Sequence, residues 1–276
     1  MQPLLGAHRR RRTSRFPSGV APGPRRGGRA AGLAALALAL AALGCGAPAT
    51  NEAQLPGDDT RDVWVLVVHG AGDGPERWAA PFAAALEPKL LEPRRVAVVA
   101  YDWREAARDR LAAAGAGQAE GAAIAKALQG RALTHLHLVV HSAGAHVAFG
   151  LEQALADWPS RPTLHLTLLD PFQGLGLDFE WGRARFGRTA DFTESWLNRG
   201  DGVPGTEAPV DAAHTFDVTS AASRPAGLSG SQPHWWPIDA YQALPPSLST
   251  ALEVSGAFEP QRLRERFPPG AVTQVP

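Results

Sequence analysis

Four apolar runs alternate with helix-like segments, and this alternation constrains the chain more than any other feature. The runs are VWVLVVH (63–69), RVAVVAYDW (95–103), HLHLVV (135–140) and TLHLTLLD (163–170). Val- and Leu-rich runs without polar gaps read as strands buried on both faces. Strands separated by helices imply an α/β fold, a mainly parallel sheet with helices on both sides. The intervening segments are PFAAALEPKL, which Pro88 and Pro93 interrupt, then REAARDRLAAA and GQAEGAAIAKALQG, closed by Gly130, and then AGAHVAFGLEQALA. A further strand-like stretch, AHTFDVTS, follows, and no repeat of fixed period is present. A length of 276 residues accommodates one large domain and a targeting segment.

The N-terminus has the parts of an export signal. Eight of the 27 basic residues, all arginines, fall within residues 1–44, which hold no acidic residue. The remainder carries 19 basic against 27 acidic side chains, a poor balance for nucleic-acid binding. The apolar run AAGLAALALALAAL ends at Leu43-Gly44-Cys45 and is short for a bilayer span, which needs about 20 residues. Residues 1–45 therefore read as a signal peptide, and Ala42-Leu43-Gly44-Cys45 resembles a bacterial lipobox with Cys45 as the lipidated residue. An ordinary cleaved signal is the alternative. Either reading puts the protein in a bacterial envelope, lipid-anchored in the first case and periplasmic or secreted in the second. Cys45 is the only cysteine, so no disulfide can form within the chain. Residues 46–60 read as a tether and 61–276 as the folded domain.

The third strand runs straight into a helix through His141-Ser142-Ala143-Gly144. Such a corner lies at the carboxyl end of a parallel strand, where α/β sheets bind ligands. It presents the Ser142 hydroxyl outward, and the following helix aims free N–H groups at any oxyanion formed there. Compared with G-x-S-x-G, Val140 replaces the first Gly. Ser142 is thus a candidate nucleophile, with helix N-cap as its plain structural alternative.

Several stretches resemble an α/β-hydrolase, and within that superfamily the pancreatic-type lipase family. HLVVHSAGAHVA is similar to that family's strand, elbow and helix. VAYDWREAAR is similar to its strand ending in Asp-Trp, VLVVHGAGD to its His-Gly oxyanion loop, and LTLLDPF to its Leu-Asp-Pro at the acid. The similarity runs through residues 62–172 in order. The chain departs from the family at Val140, in lacking the family's disulfides and in its shorter C-terminal part. The resemblance implies an α/β-hydrolase fold and assigns the second oxyanion N–H to Ala71 in His69-Gly70-Ala71-Gly72.

A serine hydroxyl needs a base, and the base a carboxylate to orient it. Asp170 ends the strand that follows the elbow helix and is the candidate acid, with a turn cap before Pro171 as the alternative. Asp217 is the rival acid, because many α/β-hydrolases carry it one strand later. The order Ser…Asp…His leaves two histidines after Asp170. His214 sits in a strand-like stretch and reads as packing. His234, in the loop-like SQPHWWPIDAY, is the candidate base. The oxyanion donors are the N–H groups of Ala143 and Ala71. His69 is expected to brace the oxyanion loop, and Asp102 to act as a structural acceptor.

Phe172, Phe179, Trp181, Phe186, Phe192 and Trp196 suggest an aromatic-rich cap or insertion at about 172–212, either an acyl-binding lid or a plain anchored subdomain. No zincin motif, clustered metal-ligand spacing or P-loop is present, and no cofactor or metal is implied. The leading expectation is a serine hydrolase acting on a small ester or lipid substrate. Amidase or peptidase activity on the same triad, and a non-catalytic binding lipoprotein, are the alternatives. The sequence leaves oligomeric state, acyl length and head group open.

Overall fold

The computed structural model describes residues 54–55, 57, 60–86, 88, 95–243 and 259–276. Cys45 and the signal segment lie outside the described residues, as does most of the tether. No described helix is long and apolar enough to cross a membrane.

Among the described residues, seven strands form one parallel sheet in the order β2-β1-β3-β4-β5-β6-β7. They are β1 (Val63–Val68), β2 (Val96–Tyr101), β3 (His135–His141), β4 (Thr163–Leu169), β5 (Phe192–Leu197), β6 (His214–Asp217) and β7 (Val272–Gln274). The helices are α1 (Ala79–Leu86), α2 (Arg104–Ala107), α3 (Ala113–Leu128), α4 (Gly144–Ala156), α5 (Gln232–Gln242) and α6 (Pro260–Arg266). REAARDRLAAA is helical over α2 and again from Ala113, where α3 begins; between them Asp109 Oδ1 accepts the Leu111 N–H at 2.9 Å and turns the chain.

Successive strand residues point to opposite faces, so a run of apolar residues serves two cores at once. Leu66, Leu138, Val140, Leu166 and Leu168 pack with Ile124 and Leu128 of α3 and Val147 and Leu151 of α4. Val65, Val67, Val139, Phe192, Trp196 and Phe216 pack on the other face with α1, α5 and α6. The helices α3 and α4 touch along glycines: a Cβ on Gly121 would run into the Val147 carbonyl, and one on Gly150 into that of Gln118. Backbone cannot move aside as a flexible side chain can. Gly121→Ala is therefore expected to cost more than about 2 kcal/mol, read as a lowered thermal midpoint. A midpoint equal to wild type would mean that the two helices adjust freely.

The segment 172–212 is not one insertion, because β5 runs through it. Phe192 and Trp196 are core residues, and Trp196 stacks on Phe216 with centroids 4.4 Å apart. The strand is hard to see in FTESWL because Thr193, Glu194 and Ser195 are polar yet buried. Glu194 Oε1 accepts the Thr167 hydroxyl of β4 at 2.7 Å, a cross-strand partner that only pairing supplies. Trp181 and Phe186 pack on His146 and Phe149 of α4 and anchor the remaining loop.

Candidate active site

Ser142 joins β3 to α4 with φ 54°, in the left-handed region that L-residues avoid at a cost of about 1–2 kcal/mol. Backbone hydrogen bonds and the space beside two glycines hold it there. Its N–H donates to the Leu169 carbonyl at 3.0 Å, its carbonyl accepts the Phe172 N–H at 3.1 Å, and glycines leave it room. A Cβ on Gly144 would lie 3.0 Å from the His69 carbonyl and 3.1 Å from that of Val68, and one on Gly70 would lie 3.0 Å from the Ser142 Cβ. Val140, which stands where a Gly was expected, belongs to β3 and packs its side chain into the α3–α4 core. A side chain fits there without disturbing the corner.

Asp170 follows β4 and is also left-handed, with φ 45°. Its N–H donates to the Trp196 carbonyl at 2.8 Å, and its Oδ1 accepts the Asn198 N–H at 2.9 Å, so the end of β5 fixes this carboxyl. Its Oδ2 lies 2.8 Å from His234 Nδ1. His234 is in the first turn of α5 rather than in a loop, with Pro233 just before it, where a missing N–H costs nothing. Asn198 Nδ2 donates to the Pro233 carbonyl at 2.6 Å, tying that turn to β5.

A second carboxylate reaches the candidate base. Asp201 Oδ2 lies 2.7 Å from the same His234 Nδ1 and accepts the Thr206 hydroxyl at 2.9 Å, while Asp201 Oδ1 accepts the Val203 N–H at 2.9 Å. Asp201 follows β5, one strand after Asp170. The expected rival one strand later was Asp217, and overlooking β5 is the reason. Asp217 ends β6 and turns away: its Oδ2 pairs with Arg199 Nε at 2.8 Å and Gln274 Nε2 at 3.1 Å. Asp217 is thus corrected from rival acid to ion-pair partner. The sequence signal for Asp201 was an Asp in a Gly-containing turn, RGDGVPG, visible only once β5 is assigned.

One Nδ1–H between two carboxylates leaves a surplus of negative charge, and burial decides where the protons sit. Burial raises Asp170 to about 8, against the hydrogen bond from His234. Burial also opposes ionisation of Asp201, but hydrogen bonds from His234, Val203, Asp170 and Thr206 hold it below the ordinary carboxylate value. Burial thus favours the proton on Asp170, and the hydrogen bonds favour the charge on Asp201. Burial would depress His234, yet its bonds to the two acids raise it to about 9.

Ser142 and His234 face one cavity of about 260 Å³, together with Ala71, Ala143 and Phe172. The N–H groups of Ala71 and Ala143 make no hydrogen bond to other described backbone groups. His69 braces the loop that carries Ala71: its Nδ1 lies 2.9 Å from the Gly70 carbonyl oxygen, and its Nε2 lies 3.2 Å from Trp103 N. Asp102 accepts Arg104 Nε at 2.7 Å beside it. His141 is kept far below the ordinary imidazole value by burial, and its Nε2 lies 3.0 Å from the His234 carbonyl oxygen. His214 is held by the Pro268 carbonyl and Thr273.

Two described groups combine metal-ligand atom types, Asp170-Asp201-His234 and His137-His165-Glu194. The first is the cluster of candidate acids and base. In the second, Thr167 Oγ1 bridges His137 Nε2 at 2.8 Å and Glu194 Oε1 at 2.7 Å, so these atoms have protein partners.

A model of the alpha/beta hydrolase family matches residues 65–271. This span contains the elbow, both acids and His234. No curated protein matches the chain.

Proposed function

The chain belongs to the alpha/beta hydrolase family, and we propose that it cleaves carboxylic esters through an acyl-enzyme formed on Ser142. The observation that carries this reading is the left-handed Ser142 at the strand–helix corner, sharing a cavity with a histidine whose far nitrogen is held by carboxylates. Within the family, the chain resembles the pancreatic-type lipases, a reading supported by the position of Asp170 after β4.

In the proposed reaction Ser142 Oγ attacks the ester carbonyl carbon as its proton passes to His234 Nε2. The carbonyl oxygen gains the negative charge, and the Ala71 and Ala143 N–H groups stabilise it. When the C–O bond breaks, the alkoxide leaves with the proton from His234. Water then attacks the acyl-Ser142 ester, giving its proton to the same nitrogen, and the acid is released as Ser142 is reprotonated. Asp170 and Asp201 hold Nδ1–H toward themselves, which keeps Nε2 free to accept.

Labelling by a fluorophosphonate probe, with turnover of a short nitrophenyl ester, tests the reading, since only an activated serine reacts. Absence of both would end it. The pH dependence follows from the acids. Protonated His234 cannot take the serine proton, and its pKa is raised, so kcat/KM should climb with pH past 6.5 and level off only toward about 9. Asp201→Asn removes one carboxylate and should move this limb to lower pH. A limb at the ordinary imidazole value in both proteins would contradict the paired-acid geometry.

A further inference from the structure

We infer that the substrate carries a carboxylate, bound by Arg77 and Arg110 at the mouth of the Ser142 cavity; this rests on the hydrolase reading above. Both arginines line that cavity. Their neighbour Arg104 is neutralised by Asp102 and Glu76, both at 2.7 Å. Among the described residues, neither Arg77 nor Arg110 forms a salt bridge with a carboxylate. Asp73 is the acidic residue that also lines the cavity beside them, and it leaves one positive charge over.

Arg77 is held by an aromatic ring, and Arg110 lies against the oxyanion loop. Arg77 lies over the Trp235 ring, 3.6 Å from its centroid, directly after the base in sequence. Trp235 and Arg77 also line a neighbouring cavity of about 280 Å³, so this stack forms a wall between the two spaces. Arg110 lies across Gly72 of the oxyanion loop, where a Cβ would come within 2.8 Å of its Nε. One cation therefore stands on the His234 side of the reacting centre and the other on the oxyanion side. The stacked Arg77 loses little side-chain freedom on binding an anion, and the planar fork of either guanidinium suits a carboxylate. A cavity of about 260 Å³ has room for a small ester.

The test compares esters of similar size. On the acyl side, 4-nitrophenyl hemisuccinate is set against 4-nitrophenyl butyrate; on the alcohol side, 4-acetoxybenzoate is set against 4-acetylphenyl acetate. One charged ester should exceed its neutral partner by about tenfold in kcat/KM after correction for intrinsic reactivity, and the side that shows it locates the carboxylate. That advantage should shrink as salt is raised. In Arg77→Gln with Arg110→Gln, the charged-to-neutral ratio should fall toward one, while fluorophosphonate labelling of Ser142 reports whether the variant is folded. Turnover of neutral esters without any charged preference overturns the carboxylate inference and leaves the hydrolase reading standing. No labelling and no turnover of any ester removes both.

Discussion

Ser142→Ala is expected to lower ester turnover by a factor on the order of 10³ or more and to abolish fluorophosphonate labelling, with the fold intact. The size follows from what the hydroxyl does. Without Oγ no acyl-enzyme forms, and only the oxyanion N–H groups and substrate positioning remain to assist water. The fold should survive because Ser142 is held by its backbone, through its bonds to Leu169 and Phe172. Alanine at φ 54° meets the same backbone strain as serine, so the change adds little cost there. Activity and melting temperature measured on one preparation separate the two effects. Comparable turnover in the mutant would end the serine mechanism.

The second large effect is expected only when both acids are removed. Asp170 and Asp201 lie 2.8 and 2.7 Å from His234 Nδ1, and each has its own support, Asn198 for one and Val203 with Thr206 for the other. In Asp170→Asn the ionised Asp201 still fixes the base. In Asp201→Asn burial still resists ionisation of Asp170, but the competing charge is gone, and Asp170 can take the role. Each single change should therefore cost about tenfold in kcat, whereas Asp170→Asn with Asp201→Asn should cost roughly 10³ to 10⁴ with little change in KM. That excess over the product of the singles marks two groups sharing one task. Asp217→Asn serves as the control, since its side chain is engaged with Arg199 and Gln274. A loss on Asp170→Asn alone as large as in the double would assign the whole role to Asp170, as the sequence by itself suggests.

Overlooking β5 and overlooking Asp201 have a common cause. Strand assignment from a single sequence rests on apolar runs, and FTESWL breaks its run with three polar residues, of which Glu194 finds its partner in β4 and Thr193 in the loop at Gly187. Without β5 the acid one strand later falls on Asp217. With it, that position is Asp201. His234 was expected in a loop because Pro233 and Pro237 disguise the helix around it, although a Pro in the first turn is compatible with one.

What the sequence determines by itself are the features written in local pattern. Continuous Val and Leu runs specify β1 to β4 and their burial on both faces, and the spacing of Ser142 and Gly144 between a strand and a helix specifies the corner. These follow from covalent geometry and side-chain periodicity, which need no distant partner. The tertiary structure alone decides which carboxylates meet His234, that β5 lies between β4 and β6, and that two arginines and one aspartate line the cavity beside Ser142. Each of these depends on groups far apart in the chain, brought together by strand order, and on burial that sets which of them holds a proton.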